Sequence, residues 1–434
     1  MRGGGAKCRF STIIAPMSAS PRHVAVIGAG IVGASCAAWL QRKGLTVTLI
    51  ERDAPGEATS FGNAGSMSPS AVTPVAMPGM LRQIPAWLTD PLGPLTVKAW
   101  YLPFALPWLI RFLAHANRDD LWRCSQALRP LLEPVFECYE PIVANAQAQG
   151  LIRREGVLYA YDSAADLRAS SPAEDLRRKL GAVLQEVCAA DIQRLAPGLS
   201  PAFRWGSYGP ENGYTVNPHR LTRLLAERVV TDGGQLLKAQ VRGIEPRHDC
   251  VRLRLARQGG ADQLAADAVV VAAGVWSGAL AAALGDRVPL QSQRGYHVTV
   301  ANSGVRTTRI VNWVRRRVFS TPMEPGLRFA GTVQIAGLKA APSWERAERL
   351  LQLGKQMFPD MDTSSVSRWM GHRPCLPDSL PVIGASPRAK NVFYAFGHGH
   401  LGMCSAAPTA RSIAELVAGE SPQIDLKPFR ADRF

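Results

Sequence analysis

Residues 23–51 constrain the fold more than any other stretch of the chain. HVAVI at 23–27 is an apolar run of strand length, and GAGIVG at 28–33 follows at once. A helical pattern then runs from Ala34 to Lys43 with Gly44 placed to end it, and LTVTLI at 45–50 makes a second strand closed by Glu51. Gly28, Gly30 and Gly33 fall where a strand-to-helix turn must be tight, must let a diphosphate approach the backbone, and must pack helix on strand. The free N–H groups and positive end of that helix suit a diphosphate. Glu51 is placed to accept from a ribose 2′-OH, which argues against a 2′-phosphate and so against NADP. NAD and FAD both stay open on this evidence. The alternative is a Gly-rich turn in an unrelated α/β domain.

Length sets the frame around this unit: 434 residues suit roughly two to three domains. With 47% hydrophobic and 19% charged residues, the chain is neither collagenous, coiled-coil nor wholly disordered. Fifty Lys plus Arg against 34 Asp plus Glu leave a net charge of +16. Such an excess points to nucleic acid, an anionic membrane surface or an acidic ligand, or it is spread over the surface without purpose. No basic run exceeds Arg315, Arg316 and Arg317, and no basic-aromatic interleaving resembles a nucleic-acid module, so no nucleic acid is expected.

The eight cysteines (Cys8, Cys36, Cys124, Cys138, Cys188, Cys250, Cys375 and Cys404) form no CxxC pair. That spacing suits neither zinc nor a disulfide framework, so no metal is expected and the compartment reads as reduced and cytoplasmic. Residues 1–21 read as a flexible extension. Met1–Arg22 has several cations, no acid and no apolar core, which does not suit a cleaved export signal, and Met17 is a candidate start. The uncharged run Ala268–Gly285 reads as a buried strand, a tight turn and a helix rather than a membrane span, and the 99–110 run is too short to span.

Further along, 76–113 is rich in Pro and Trp, and reads either as an insertion packed on its own domain or as a lid or surface patch. Asn117–Gly150, Ala164–Gly181 and Arg220–Asp232 read as helices, and Leu236–Glu245 and Val251–Leu255 as paired strands. Strand candidates follow at Ser292–Val300 and within 309–330. Near the end come strands at Pro381–Gly384 and Val392–Ala395, a Gly-rich turn, and a helix Ala407–Gly419.

Five stretches in this order and spacing resemble the FAD-dependent D-amino acid dehydrogenases, within the wider D-amino acid oxidase, glycine oxidase and sarcosine oxidase group. They are VAVIGAGIVGASCAAWL with Glu51 and Arg52, ATSFGNAGSMSPS at 58–70, NGYTVNPHRL at 212–221, VVVAAGVWS at 269–277, and GHRPCLPDSLPVIG with FGHGHLGM at 371–384 and 396–403. The resemblance implies an α/β fold: a Rossmann-type FAD-binding domain built from discontinuous segments, with an inserted α+β substrate domain on a mixed antiparallel sheet. The expected division is 22–80, 211–287 and 371–434 for the FAD-binding domain, with 81–210 mostly substrate domain and helical insertion, and 288–370 substrate domain.

By the same resemblance FAD is the cofactor. Gly28, Ala29, Gly30, Ile31, Val32 and Gly33 are expected at the diphosphate, with Glu51 and Arg52 at the ribose end. Ser60, Asn63 and Ala64 are expected along the pyrophosphate and ring, Val241 at the adenine, and Ala273 and Gly274 at a second nucleotide-contacting turn. Gly399, His400, Leu401 and Gly402 open the last helix, whose start is expected to aim positive dipole at the flavin edge where charge collects on reduction.

The chemistry expected is oxidative deamination of D-amino acids to 2-oxo acids and ammonia by hydride transfer to flavin N5. Electrons then pass to a quinone or respiratory carrier. The alternative is a D-proline or 4-hydroxy-D-proline dehydrogenase, or an N-methyl amino acid oxidase, of the same fold. Arg373 matches the family's carboxylate-binding arginine, because a guanidinium fork binds a carboxylate bidentately; its other reading is a partner of Asp378. Tyr214 and Tyr296 are hydroxyl donors, pocket walls or core tyrosines. His398 and His400 either tune the flavin and substrate amine or are structural. Partners expected are a small-molecule D-amino acid or cyclic imino acid and a quinone or carrier. The location expected is cytoplasmic, peripheral on the inner face of the cell membrane.

Overall fold

The computed structural model describes residues 22–434 except 83, 85–89, 91–92, 94 and 258–259. The expectations for 1–21, Met17 and Cys8, and part of the Pro/Trp-rich stretch, lie outside the described residues.

Two sheets organise the chain. The first has six strands in the order Gln235–Lys238, Thr46–Glu51, His23–Ile27, Ala268–Val271, Val392–Phe396 and Val382–Ala385. The first five run parallel, and Val382–Ala385 pairs antiparallel at the edge. Val24–Ile27, Ala268–Val271 and Val392–Phe396 are buried along their length, which is why they read as unbroken apolar runs rather than alternating ones. On one face lie the helices Ile31–Arg42, Pro218–Thr231 and Gly402–Val417. Ala34, Ala37 and Leu40 share a core there with Ala406, Ala410 and Ile413. The helices Arg118–Leu132 and Val135–Asn145 join that same core through Leu128, Leu131 and Tyr139. On the other face lies a three-stranded antiparallel sheet of Gln240–Pro246, Val251–Arg257 and Gly260–Ala266.

The second large sheet is mixed. Its path runs Val366–Cys375, Gln291–Val300, Gly326–Ile335, Val318–Met323, Ile310–Trp313, Val157–Tyr161, Trp205–Gly209 and Gln185–Val187, and Leu95–Val97 pairs beside Gly326–Ile335. The helix Glu345–Met357 covers one face, where Ala347, Leu350 and Leu353 pack with Val298 and Phe329. The architecture is the expected one: a Rossmann-type parallel sheet assembled from separated segments, with a second, mixed sheet inserted.

Several expected elements differ in detail. The strand expected at 236–245 is two strands in different sheets, divided at Ala239, whose N–H donates to Glu51 O at 2.9 Å. Asn117–Gly150 is two helices separated by Glu133 and Pro134, because Pro has no N–H to continue the first. The Pro/Trp-rich stretch contains a helix Leu102–Ala114: Pro103 sits in its first turn, where the lost N–H has no partner anyway, and Pro107 lies within it. The last helix begins at Gly402 rather than 407 and carries Pro408 inside it.

Candidate active site

A cavity of about 370 Å³ opens at the carboxyl ends of the parallel strands, where Ile27, Ile50, Ala272 and Phe396 line it. Open α/β sheets place ligands in this crevice. Gly28 turns the chain out of the first strand with φ +102°, and a Cβ there would lie 2.6 Å from Ala272 O. Only glycine fits both the conformation and the space. Gly33 packs the helix onto the same turn, since a Cβ on it would stand 1.8 Å from Gly28 O.

The start of the first helix and the end of the second strand are tied together. Ala29 N donates to Glu51 Oε2 at 2.7 Å, while Oε1 accepts from the N–H groups of Arg52 and Asp53 at 2.9 and 3.2 Å. Ile31 N donates to Ser60 Oγ at 2.9 Å. Glu51 therefore faces the cavity with its carboxylate already oriented. The Arg52 guanidinium lies 3.9 Å above the Trp276 ring, and both residues line the cavity.

Of the residues expected at a cofactor, Gly28, Gly30, Ile31, Val32, Glu51, Arg52, Ser60, Asn63, Val241, Ala273, Gly274, Gly399 and Gly402 line this one cavity, together with His398. Ala29 and Gly33 stand behind the turn they shape. Ala64 does not line the cavity: its carbonyl accepts from Thr321 Oγ1 at 2.9 Å. Leu401 precedes the last helix and offers no side-chain cap. The free N–H groups and positive end of that helix thus open on the cavity beside Gly402 and Met403.

His398 is buried with Nε2 3.1 Å from Thr409 Oγ1, and burial lowers its pKa to about 3, so its ring is neutral at pH 7. His400 is solvent-exposed and stands just beyond the cavity lining.

Arg373 lies on Val366–Cys375, immediately before the cavity-lining Pro374. Its Nη1 donates to Thr332 O at 3.0 Å and Nη2 to Gly331 O at 3.5 Å. It passes over Gly295, where a Cβ would meet Cζ at 2.3 Å. The alternative pairing with Asp378 is not made, because Asp378 pairs with Arg433 at 2.7 Å.

Of the readings open for the two tyrosines, their hydrogen bonds fit the core one, and neither lines this cavity. Tyr214 is buried and donates to Thr308 O at 2.7 Å. Tyr296 donates to Gln334 Oε1 at 2.7 Å and accepts from Ser343 N at 3.0 Å. Each hydroxyl is used in the core, the outcome that a buried phenol usually finds.

Residues that no motif pointed to frame the site. Buried Arg328 donates to Asn63 O at 2.8 Å and to Phe61 O at 3.3 Å, pinning the 61–63 loop. His297 stacks on Trp369 at 5.2 Å and meets Gly62 O through Nδ1 at 3.1 Å. These residues are far from the loop in sequence, and only the position of a lone charge or aromatic in a strand could have hinted at them. Among the described residues no group of three or more His, Cys, Asp or Glu could hold a metal, and no helix is long and apolar enough to cross a membrane.

The turn, oriented carboxylate, helix starts and cavity together define a dinucleotide-dependent oxidoreductase, and residues 23–416 match the family described as FAD dependent oxidoreductase. The chain belongs to that family, so FAD is its cofactor. It is 38% identical to a D-amino-acid oxidase of Bradyrhizobium diazoefficiens over 95% of this chain and 99% of that one. It is 30% identical to a D-amino acid dehydrogenase of Paramagnetospirillum magneticum, over 95% and 98%. The fold is also that of a glycine oxidase from Geobacillus kaustophilus, at 20% identity, 95% and 99% coverage and TM-score 0.69. The protein is an FAD-dependent oxidoreductase acting on amino acids.

Proposed function

We propose that the protein oxidises D-amino acids to 2-oxo acids and ammonia, with Arg373 as the carboxylate anchor. The observation that carries this is the placement of Arg373: two backbone carbonyls hold one edge of its fork beside the cavity-lining Pro374, and among the described residues no acidic side chain is paired with it. A substrate carboxylate on the remaining N–H groups is fixed in direction as well as position. Glu51 would hold the adenosine ribose and the Gly28–Gly33 turn the diphosphate, and the start of the last helix would offer its N–H groups to the flavin. Bound there, FAD supplies a two-electron acceptor for the substrate Cα–H as a hydride. The substrate amine must be neutral to assist. The amino acid leaves as an imine, and water hydrolyses it to the oxo acid and ammonia.

The electron acceptor in this reading is a quinone or carrier at an anionic membrane surface. Supporting it, the helix Leu102–Ala114 buries Ala105, Trp108 and Phe112 but exposes Phe104 (71%) and Ile110 (60%), next to exposed Trp100 (59%), on a chain of net charge +16. The relative named an oxidase favours a second reading, in which oxygen is the acceptor. Anaerobic bleaching of the flavin band by D-alanine but not L-alanine tests the substrate reading; no bleaching by any D-amino acid sinks it. Stoichiometric peroxide on readmitting air selects the oxygen reading over the quinone one.

A further inference from the structure

Arg346, in the first turn of the helix Glu345–Met357, is 3% exposed. Among the described residues its guanidinium donates to neutral oxygens alone: Nε to Thr332 Oγ1 at 2.5 Å, Nη2 to Gly93 O at 3.2 Å, and Nη1 to Thr96 Oγ1. A charge buried in this way is costly until an opposite charge meets it.

Arg316, Arg346, Arg349 and Thr332 line one small cavity between that helix and the mixed sheet. Arg316 Nη1 holds Asp90 at 2.6 Å, but its Nε is buried with no partner among the described residues. Glu348, beside Arg349 in sequence, pairs instead with Arg368 at 2.9 Å. Among the described residues no carboxylate is paired with Arg346 or Arg349, so the wall carries an excess of positive charge. Burial first, and then Arg349, lower the Arg346 pKa to about 10, the direction expected of like charges around one space.

We propose that this cavity binds a single chloride ion between Arg316, Arg346 and Arg349. Its volume of about 10 Å³ suits one water-sized particle rather than a phosphate or a carboxylate. A water there would serve Arg316 Nε but leave the charge unmatched, whereas a monatomic anion does both. Arg349 is only partly buried and can move outward to admit the larger ion.

Thr332 connects this site to the main cavity. Its hydroxyl accepts from Arg346 and its carbonyl from Arg373 Nη1 at 3.0 Å, in left-handed backbone at φ +55°. A non-glycine residue there is held by its surroundings. By damping the repulsion between Arg346 and Arg349, chloride keeps Arg346 on Thr332 and so keeps Arg373 aimed. That link to substrate binding rests on the D-amino acid reading above; the site itself does not.

The test compares Tm of the FAD-loaded protein in sodium chloride and in sodium methanesulfonate at equal ionic strength, where general screening is the same. An anion that binds the folded state alone raises Tm until the site is filled. The rise expected in chloride is half complete at roughly 1–10 mM, from two or three charge-assisted contacts. Methanesulfonate gives no such rise. Arg349→Gln removes most of it, and Arg349→Lys keeps part of it. With D-alanine and a dye acceptor, KM is expected to be about five-fold lower in chloride with kcat little changed, and Arg349→Gln brings that ratio close to one. Matching Tm curves in the two salts, or a chloride rise that survives intact in Arg349→Gln, overturn the site. A chloride-dependent Tm with a KM indifferent to chloride overturns the link to Arg373. The Tm comparison uses no substrate, so it succeeds or fails separately from the D-amino acid reading.

Discussion

Arg433, at the penultimate position of the chain, reaches Asp378 at 2.7 Å and Leu380 O at 2.7 Å. Both members of the ion pair are largely buried. The pair fixes the loop that follows the Arg373 strand and takes the carboxylate that a sequence reader would give to Arg373. Arg433→Ala leaves Asp378 buried without its cation, and a loss of about 3–5 kcal/mol is expected. Denaturant unfolding of the FAD-loaded protein checks it; a loss under about 1 kcal/mol contradicts the structural role, since that is the range of an exposed pair.

Arg373→Lys keeps the charge but not the planar fork, so two aligned contacts become at most one. A fall in kcat/KM of about 100-fold with D-alanine is expected, at unchanged flavin content, from losing charge-assisted bonds of roughly 1.5–3 kcal/mol each. Steady-state kinetics with a dye acceptor decide it, and near-normal kcat/KM would show that the carboxylate binds elsewhere.

Gly28→Ala places a methyl 2.6 Å from Ala272 O in a left-handed backbone. The turn must shift, at a cost of about 1–3 kcal/mol. The expected outcome is protein that purifies with little or no flavin and a lowered Tm. Retention of full flavin content would show that the turn can relax without disturbing the diphosphate site.

His297 and His398 are buried, and desolvation lowers their pKa to about 3; His372 falls to about 4 for the same reason. Each is neutral when folded and gains a proton on unfolding below about pH 6.5, so the unfolded state binds more protons there. Stability is complete above that pH and falls as pH drops toward 4, by up to about 1.4 kcal/mol per pH unit per histidine. Unfolding free energies measured from pH 7 to 4.5 check the slope, and His297→Gln, where it folds, makes it shallower.

If the exposed side of Leu102–Ala114 meets lipid, Phe104→Ser with Ile110→Ser weakens co-sedimentation with anionic vesicles at least about ten-fold, given roughly 1.5–3 kcal/mol per buried side chain. Dye-linked turnover in solution serves as the control for folding. Equal sedimentation of the altered and unaltered proteins removes the helix from membrane contact.

The nucleotide half of the site was legible because its constraints are local. Gly28, Gly30, Gly33 and Glu51 lie in one continuous strand-turn-helix-strand unit, and the turn at Ala273 and Gly274 follows a recognisable buried strand. The substrate side is non-local. Arg373 is held by Gly331 and Thr332 across the sheet, and Arg328 reaches the loop at 61–63; neither relation has a spacing to read. Tyr214 and Tyr296 show the limit from the other direction. A tyrosine in a conspicuous motif looks the same in sequence whether its hydroxyl meets a substrate or, as here, Thr308 and Gln334. The division of 236–245 at Ala239 was hidden because both halves are apolar enough for one strand.

The order of strands in the parallel sheet also bears on how the chain is made. Ala268–Val271 lies between His23–Ile27 and Val392–Phe396, and the helix Gly402–Val417 covers the same face as the first helix. During synthesis, one edge of that apolar strand must wait unpaired until most of the mixed sheet has left the ribosome. The ribosome-bound chain therefore carries a sticky β-edge late into translation, the kind of surface that recruits holding chaperones. A chain shortened before residue 392 keeps that edge permanently and is expected to aggregate rather than persist as a smaller folded protein.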